Sequence, residues 1–118
     1  MSDYTIWHNP KCSTSRFVLQ ALQDAGADVA VRDYQKQPPS ADELRDALKR
    51  LGIGPRDLLR RRNTPFDDLG LGDPALSDDA LIAAMADHPA VIERPVVFGP
   101  TGARLCRPKE TVFDLLSA

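Results

Sequence analysis

The first third of the chain alternates short apolar runs with chain-breaking residues, and this alternation constrains the fold more than any other feature. Tyr4–His8 is a short apolar run that a proline follows within two residues, so it predicts a strand. Ser13 or Thr14 can cap a helix that Gly26 ends. Val29–Tyr34 predicts a second, largely buried strand. A strand, a helix and a strand in succession indicate a parallel βαβ unit.

The middle of the chain, roughly residues 40–89, has the pattern of a block of short helices. Ser40 and Glu43 form an S-x-x-E capping box in front of a leucine stripe. A second helix begins at Pro55, and Ser77 opens a third. This block predicts a helical insertion between the two halves of a sheet, too short to form a domain of its own.

The last third predicts a β-hairpin and a closing helix. Pro95–Phe98 and Ala103–Cys106 flank the turn Gly99–Gly102, and Pro108 suits the first turn of a helix. The order βαβ, helices, ββα therefore predicts a four-stranded α/β sheet with helices on its faces. We expect residues 1–118 to form a single domain, since a chain of this length buries about two-thirds of its unfolded surface.

Composition and charge narrow the function classes. The chain has 118 residues, 42% of them hydrophobic, and a net charge of −2. Without a basic excess, nucleic acids and anionic membranes have little support as partners. Met1–Pro10 lacks the regions of a signal peptide, and no apolar run approaches the roughly 20 residues of a membrane helix. We therefore expect a cytoplasmic protein, and the low charge without an evident apolar patch favours a monomer.

Cys12 lies where the first predicted strand gives way to the first helix, in the run HNPKCSTSR at 8–16. A thiol there meets the positive end of the helix dipole and unpaired N–H groups, which favour the thiolate and also bind anions. A lone cysteine is usually a buried apolar residue, but the polar residues around Cys12 favour a reactive thiol. Position 15 is a serine, so a Cys-x-x-Cys pair is absent and Cys106 is distant in sequence. Redox chemistry at Cys12 therefore recruits its second thiol from another molecule.

Four more residues are candidates for chemistry. His8 either faces the thiol and favours its thiolate or lies at the strand end in water. Arg94 precedes Pro95, where the peptide bond can be cis. Arg107 stands at the start of the last helix, where a cation opposes the helix dipole and so suggests a functional role. Arg60 heads an arginine triplet whose default interpretation is a solvated face, yet separated arginines can converge, and guanidinium groups suit tetrahedral oxyanions.

Taken together, these residues resemble the glutaredoxin-linked arsenate reductases. The resemblance covers nearly the whole chain and rests on HNPxCxTSR at 8–16, LLR at 58–60, HP at 88–89, RP at 94–95 and RLCRP at 104–108. It implies a thioredoxin-like fold with a mixed four-stranded sheet and a helical insertion. It also implies that Cys12 is the nucleophile and that His8 is important for activity. The remaining roles that it implies are oxyanion binding by Arg60, Arg94 and Arg107, a cis-proline at Pro95, and a Cys106 that turnover does not require.

The resemblance further implies the reaction. The Cys12 thiolate attacks arsenic(V), glutathione is the co-substrate, and glutaredoxin resolves the mixed disulfide that forms on Cys12. No metal and no tightly bound cofactor are implied. Two alternatives stay open: a glutathione-dependent thiol oxidoreductase with another physiological substrate, and a thioredoxin-fold transcriptional regulator. Such regulators typically carry a Cys-x-x-Cys switch, whose second position is Ser15 in this chain.

Overall fold

Four short strands form one mixed sheet in this computed structural model, which describes residues 3–116. The strands are β1 (Tyr4–His8), β2 (Val29–Asp33), β3 (Val96–Gly99) and β4 (Gly102–Leu105). Their order in the sheet is β2-β1-β3-β4, with β1 parallel to β2 and antiparallel to β3, and with β3 antiparallel to β4. The predicted α/β class, the parallel βαβ unit and the β-hairpin are confirmed.

The chain divides into two compact units. The sheet unit contains the segment that runs to Gln37 and the segment that begins at Arg94, and the helical unit is Pro38–Glu93. The helical unit comprises α2 (Ala41–Leu51), α3 (Pro55–Leu58) and α4 (Asp78–Asp87), and α4 packs against the other two. Within residues 3–116, no helix combines the length and the apolar character that a membrane crossing needs.

The helices α1 (Ser13–Asp24) and α5 (Val112–Leu116) cover one face of the sheet. Side chains alternate between faces along a strand, so Ile6 and Val97, which pair across β1 and β3, point to the same side. Both are fully buried, and each such side chain contributes roughly 1.5–3 kcal/mol. His8 follows Ile6 by two residues and therefore faces the same side, toward the start of α1. The rest of this buried cluster is Val18, Leu22, Cys106, Val112 and Leu115.

The capping box that the sequence predicts is present in the helical unit. The Ser40 side chain accepts a hydrogen bond from the Glu43 N–H, and the Glu43 carboxylate accepts one from the Ser40 N–H. These bonds satisfy two of the amide groups that a helix start leaves unpaired. Gly52 ends the same helix in the left-handed conformation, with φ of 70°.

Three local predictions were wrong. Cys12, not Ser13 or Thr14, is the N-cap of α1, because the helix already begins at Ser13. The closing helix is split into a 3-10 turn at Lys109–Thr111 and the five residues of α5, since 3-10 turns commonly form helix ends. The strand β2 is half-buried rather than largely buried, because it lies at an edge of the sheet.

Candidate active site

The strand register carries three separate segments to one end of the sheet. Trp7 pairs with Val96, and Val96 pairs with Leu105, so the end of β1, the start of β3 and the end of β4 are neighbours. Cys12 follows β1, Arg94 precedes β3, and Arg107 follows β4. The Arg94–Pro95 and Arg107–Pro108 peptide bonds are both cis. Residues far apart in sequence therefore surround the beginning of α1.

Two arginines contact the Cys12 thiol. Arg107 Nη2 donates to Cys12 Sγ at 3.3 Å, and Arg107 Nε donates to the Arg94 carbonyl oxygen at 2.7 Å. The Arg94 side chain also donates a hydrogen bond to the Cys12 sulfur. The carbonyl group of Arg94 thus holds the Arg107 guanidinium in place. Both arginines bring their positive charges to the Cys12 sulfur.

The net effect of these surroundings is to lower the pKa of Cys12. Partial burial by itself raises the pKa of the thiol, but the Ser15 backbone N–H, the hydrogen bond from Arg94 and the charges of Arg107 and Arg94 outweigh it. Cys12 is also the N-cap residue, where the helix dipole favours an anion. The thiol is half-buried, so it is accessible and activated at the same time.

His8 is buried at the strand end rather than in water, and its ring bonds to Ser15. His8 Nδ1 lies 2.7 Å from Ser15 Oγ, and the Asn9 N–H donates to the same oxygen at 3.1 Å. Burial lowers the pKa of His8, Asp33 opposes this effect, and the charge of Arg16 adds to it. The ring is therefore neutral at pH 7, and its bond with the fully buried Ser15 hydroxyl fixes the first turn of α1 under Cys12.

Tyr34 is a member of the site that sequence reasoning missed. Its side chain is fully buried directly after β2, and burial raises the pKa of its hydroxyl. Hydrogen bonds with Gln35, Arg94 and Asn9 act in the opposite direction. Through these hydrogen bonds Tyr34 helps to position Arg94 and also Asn9, which belongs to the loop before Cys12. A tyrosine at a strand end is an ordinary core residue in sequence terms, and its hydrogen bonds with Arg94 and Asn9 in the folded chain reveal this role.

Arg60 lies in the helical unit, beyond the end of α3. Its Nη1 donates to Glu93 Oε1 at 2.8 Å, and its Nε donates to the Arg62 carbonyl oxygen at 3.1 Å. Its side chain is 13% exposed, in contrast to the solvated face that an arginine triplet suggests by default. Glu93 neutralises part of the charge and holds the guanidinium in one orientation.

The two cysteines have opposite environments. Cys106 is fully buried in the sheet unit, and burial raises the pKa of its thiol to about 12. It is therefore a neutral core residue at physiological pH, whereas Cys12 is half-exposed. Both cysteines are free thiols. Among residues 3–116, no group of three or more His, Cys, Asp or Glu side chains is arranged to hold a metal ion.

Comparison with known proteins gives consistent matches. The model of the ArsC family matches residues 7–115. The arsenate reductase of Rhizobium meliloti is 48% identical over 112 residues, which are 95% of this chain and 80% of that protein. The arsenate reductase of Neisseria meningitidis is 40% identical, over 98% of this chain and 100% of that protein. The solved structure of the arsenate reductase from Vibrio cholerae superimposes with a TM-score of 0.91 at 43% identity, covering 97% of this chain and 98% of that one.

Proposed function

Since the chain belongs to the ArsC family, we propose that it is an arsenate reductase that uses glutathione as the electron donor and glutaredoxin to regenerate its thiol. One observation carries this proposal: the half-exposed Cys12 thiol, with Arg107 Nη2 at 3.3 Å and Arg94 beside it. A nucleophile and two guanidinium groups at one point suit attack on a tetrahedral oxyanion.

The first step is nucleophilic substitution at arsenic. The Cys12 thiolate attacks arsenic(V), a sulfur–arsenic bond forms, and one arsenate oxygen leaves as hydroxide or water. Arg94 and Arg107 bind the remaining oxygens and offset their negative charge in the transition state. Arsenic remains arsenic(V) in this step, so no electrons are transferred. The lowered pKa of Cys12 supports this step because the thiolate is the reacting form.

The second step is the reduction. A glutathione thiolate attacks the Cys12 sulfur, a disulfide bond forms, and the electron pair of the sulfur–arsenic bond stays on arsenic. Arsenic(V) becomes arsenic(III), which leaves as arsenite, and the two sulfurs together lose two electrons. A glutaredoxin thiolate then attacks the glutathione sulfur and releases the Cys12 thiolate, a good leaving group because of its low pKa. No second cysteine of this chain is needed, in agreement with Ser15 at the position of a local partner.

The other residues have supporting roles in this proposal. His8 positions Ser15 through their hydrogen bond and thereby the N–H groups at the start of α1. Arg60 serves as a third oxyanion-binding arginine that Glu93 holds in place. The ArsC match extends from residue 7 to residue 115, through both compact units, which supports a single domain with a helical insertion. We place the enzyme in the cytoplasm as a monomer, because glutathione keeps Cys12 reduced there and one chain supplies Cys12, Arg94 and Arg107.

A coupled assay tests the proposal, with arsenate, glutathione and glutaredoxin present and NADPH oxidation followed through glutathione reductase. We expect arsenate-dependent oxidation in the wild type and none in Cys12→Ser. Arg107→Lys keeps the charge but loses the planar fork, so kcat/KM for arsenate falls roughly 10- to 100-fold. Arg104→Lys is the matched control, since Arg104 is also an exposed arginine but donates to its neighbour Ala103. Turnover by Cys12→Ser would refute the mechanism.

The main alternative is a glutathione-dependent thiol oxidoreductase that binds no oxyanion. The two guanidinium groups at Cys12 favour arsenate reduction, because besides lowering the pKa of the thiol they can bind the oxygens of a tetrahedral oxyanion, which thiol exchange alone does not require. Arsenate that protects Cys12 from alkylation in the wild type, but not in Arg107→Lys, supports the oxyanion site. Thiol exchange without such protection supports the alternative.

A further inference from the structure

A polar cavity of about 370 Å³ lies beside the loop that leads into Cys12. Its volume is within the range of roughly 300–1,000 Å³ that holds small ligands. The mechanism proposed above gives this cavity no role. Its lining is formed by Asn9, Pro10, Lys11, Asp33, Gln35 and Lys36, and we call it the Lys11–Lys36 cavity.

Both walls of the cavity are held by hydrogen bonds that backbone N–H groups donate. On one side, the Lys11 N–H donates to Asn9 Oδ1 at 2.9 Å, and the Cys12 N–H donates to the Asn9 carbonyl at 3.0 Å. On the other side, the Lys36 N–H donates to the Asp33 carbonyl oxygen at 3.1 Å. These turns adjoin because His8 of β1 pairs with Asp33 of β2. The cavity is therefore a preformed feature of the sheet edge.

The charge of the lining favours an anionic ligand. Two lysines face one carboxylate, and Asp33 Oδ1 already accepts from the N–H groups of Gln35 and Lys36 at 3.2 and 3.4 Å. Within residues 3–116, neither Lys11 nor Lys36 takes part in an ion pair. The two ammonium groups are thus available to a carboxylate that enters from solvent.

The position of the Lys11–Lys36 cavity relative to Cys12 indicates which anionic ligand it binds. Lys11 directly precedes Cys12 in the chain, so one wall of the cavity adjoins the reacting residue. In glutathione, the glycyl carboxylate is likewise one residue from the reacting cysteine. The other end of glutathione carries an ammonium beside its carboxylate, so it has no net charge and matches a net positive cavity less well. We propose that the Lys11–Lys36 cavity binds the glycyl carboxylate of the glutathione that reacts at Cys12, an inference that rests on the proposed function.

The test measures glutathione recognition without arsenate. Cys12 thiolate attacks glutathione disulfide, forms the mixed disulfide and releases one glutathione thiolate, and intact-protein mass spectrometry gives the rate. The rate is compared with that for the disulfide of glutathione ethyl ester, whose glycyl carboxylates are neutral. The variant is Lys11→Gln/Lys36→Gln. The control, Lys49→Gln/Lys109→Gln, removes the same charge elsewhere on the surface.

We expect the wild type and the control to react roughly five- to tenfold faster with glutathione disulfide than with its ester, and the Lys11→Gln/Lys36→Gln variant to show no preference. Equal iodoacetamide reactivity of all three proteins shows that the thiol itself is unchanged. A preference that survives in the variant, or is absent from the wild type, overturns the assignment.

The outcomes also separate this inference from the proposed function. If the wild type prefers glutathione disulfide to its ester but shows no arsenate-dependent NADPH oxidation, the arsenate reductase proposal fails and the carboxylate site stands. If it reduces arsenate but does not distinguish the ester, the carboxylate site fails and the arsenate reductase proposal stands.

Discussion

Arg107→Ala removes one of the two positive charges beside the Cys12 sulfur, so it should raise the pKa of the thiol. In the wild type, Arg107 Nη2 donates to Sγ at 3.3 Å, and its charge favours the thiolate. Opposite charges about 4 Å apart attract by about 1 kcal/mol in bulk water and about 4 kcal/mol at an effective dielectric constant of about 20. Arg107 is exposed and the thiol is half-buried, so the lower part of this range applies.

We therefore expect the thiol–thiolate equilibrium of Arg107→Ala to shift against the thiolate by about 1–2 kcal/mol, a five- to thirtyfold change. The assay is the pH dependence of alkylation by iodoacetamide, a neutral reagent that reports the thiolate. Cys106 is fully buried and contributes little to the signal. We expect the alkylation profile of Arg107→Ala to lie at higher pH than that of the wild type. The profile of Arg107→Lys should shift less, because the positive charge remains.

Arg104→Ala is the control, because it removes another exposed arginine and should leave the profile of Cys12 in place. A profile of Arg107→Ala that coincides with the wild type, or lies at lower pH, would refute the reasoning. The helix start and Arg94 would then account for the activation of the thiol without Arg107.

Three further outcomes follow from the same region. Ser15→Ala removes the buried hydroxyl between His8 and the Asn9 N–H, so we expect the free energy of unfolding to fall by about 1–3 kcal/mol in urea denaturation; no loss would show that these hydrogen bonds do not stabilise the fold. Cys106→Ala leaves turnover unchanged, because burial keeps that thiol neutral, but lowers Tm through the cavity that it creates; lost turnover at unchanged Tm would contradict this. Burial also lowers the pKa of His8, so the unfolded chain binds a proton that the folded chain does not, and the free energy of unfolding decreases as the pH falls below 6.5. His8→Gln should flatten this dependence in urea titrations at several pH values, and an unchanged slope would show that another group causes it.

Much of the fold could be predicted because local signals mark the element boundaries. The residues Tyr4–His8 are a strand as expected, and Gly26, which follows the C-cap residue Ala25 of α1, adopts a φ of 78°. The capping box of Ser40 and Glu43 is formed as predicted. The N-cap of α1 was predicted wrongly because serine and threonine are favoured caps and cysteine is not. At this position the thiol serves reactivity rather than helix propensity.

The arrangement of the site depends on strand order, which local signals do not specify. Arg94 and Arg107 meet Cys12 because β3 lies between β1 and β4. A chain with the same local pattern and another strand order would place these arginines elsewhere. In the sequence, Ser15 was informative only because it stands where a second cysteine would be. In the structure, its hydroxyl connects His8 to the loop before Cys12.

The hairpin of β3 and β4 has a practical consequence for engineering. Arg94 lies just before β3 and Arg107 just after β4, so both arginines are at the open end of the hairpin, and the turn Gly99–Gly102 lies at the other end, away from the thiol. Gly99 must stay as it is, because an added Cβ would lie 2.6 Å from the Tyr4 ring, and Gly102 has a φ of 150°. Pro100 and Thr101 between them are exposed. A fluorophore attachment site or an affinity tag inserted between these two residues would report on the enzyme without reaching the groups that perform its chemistry.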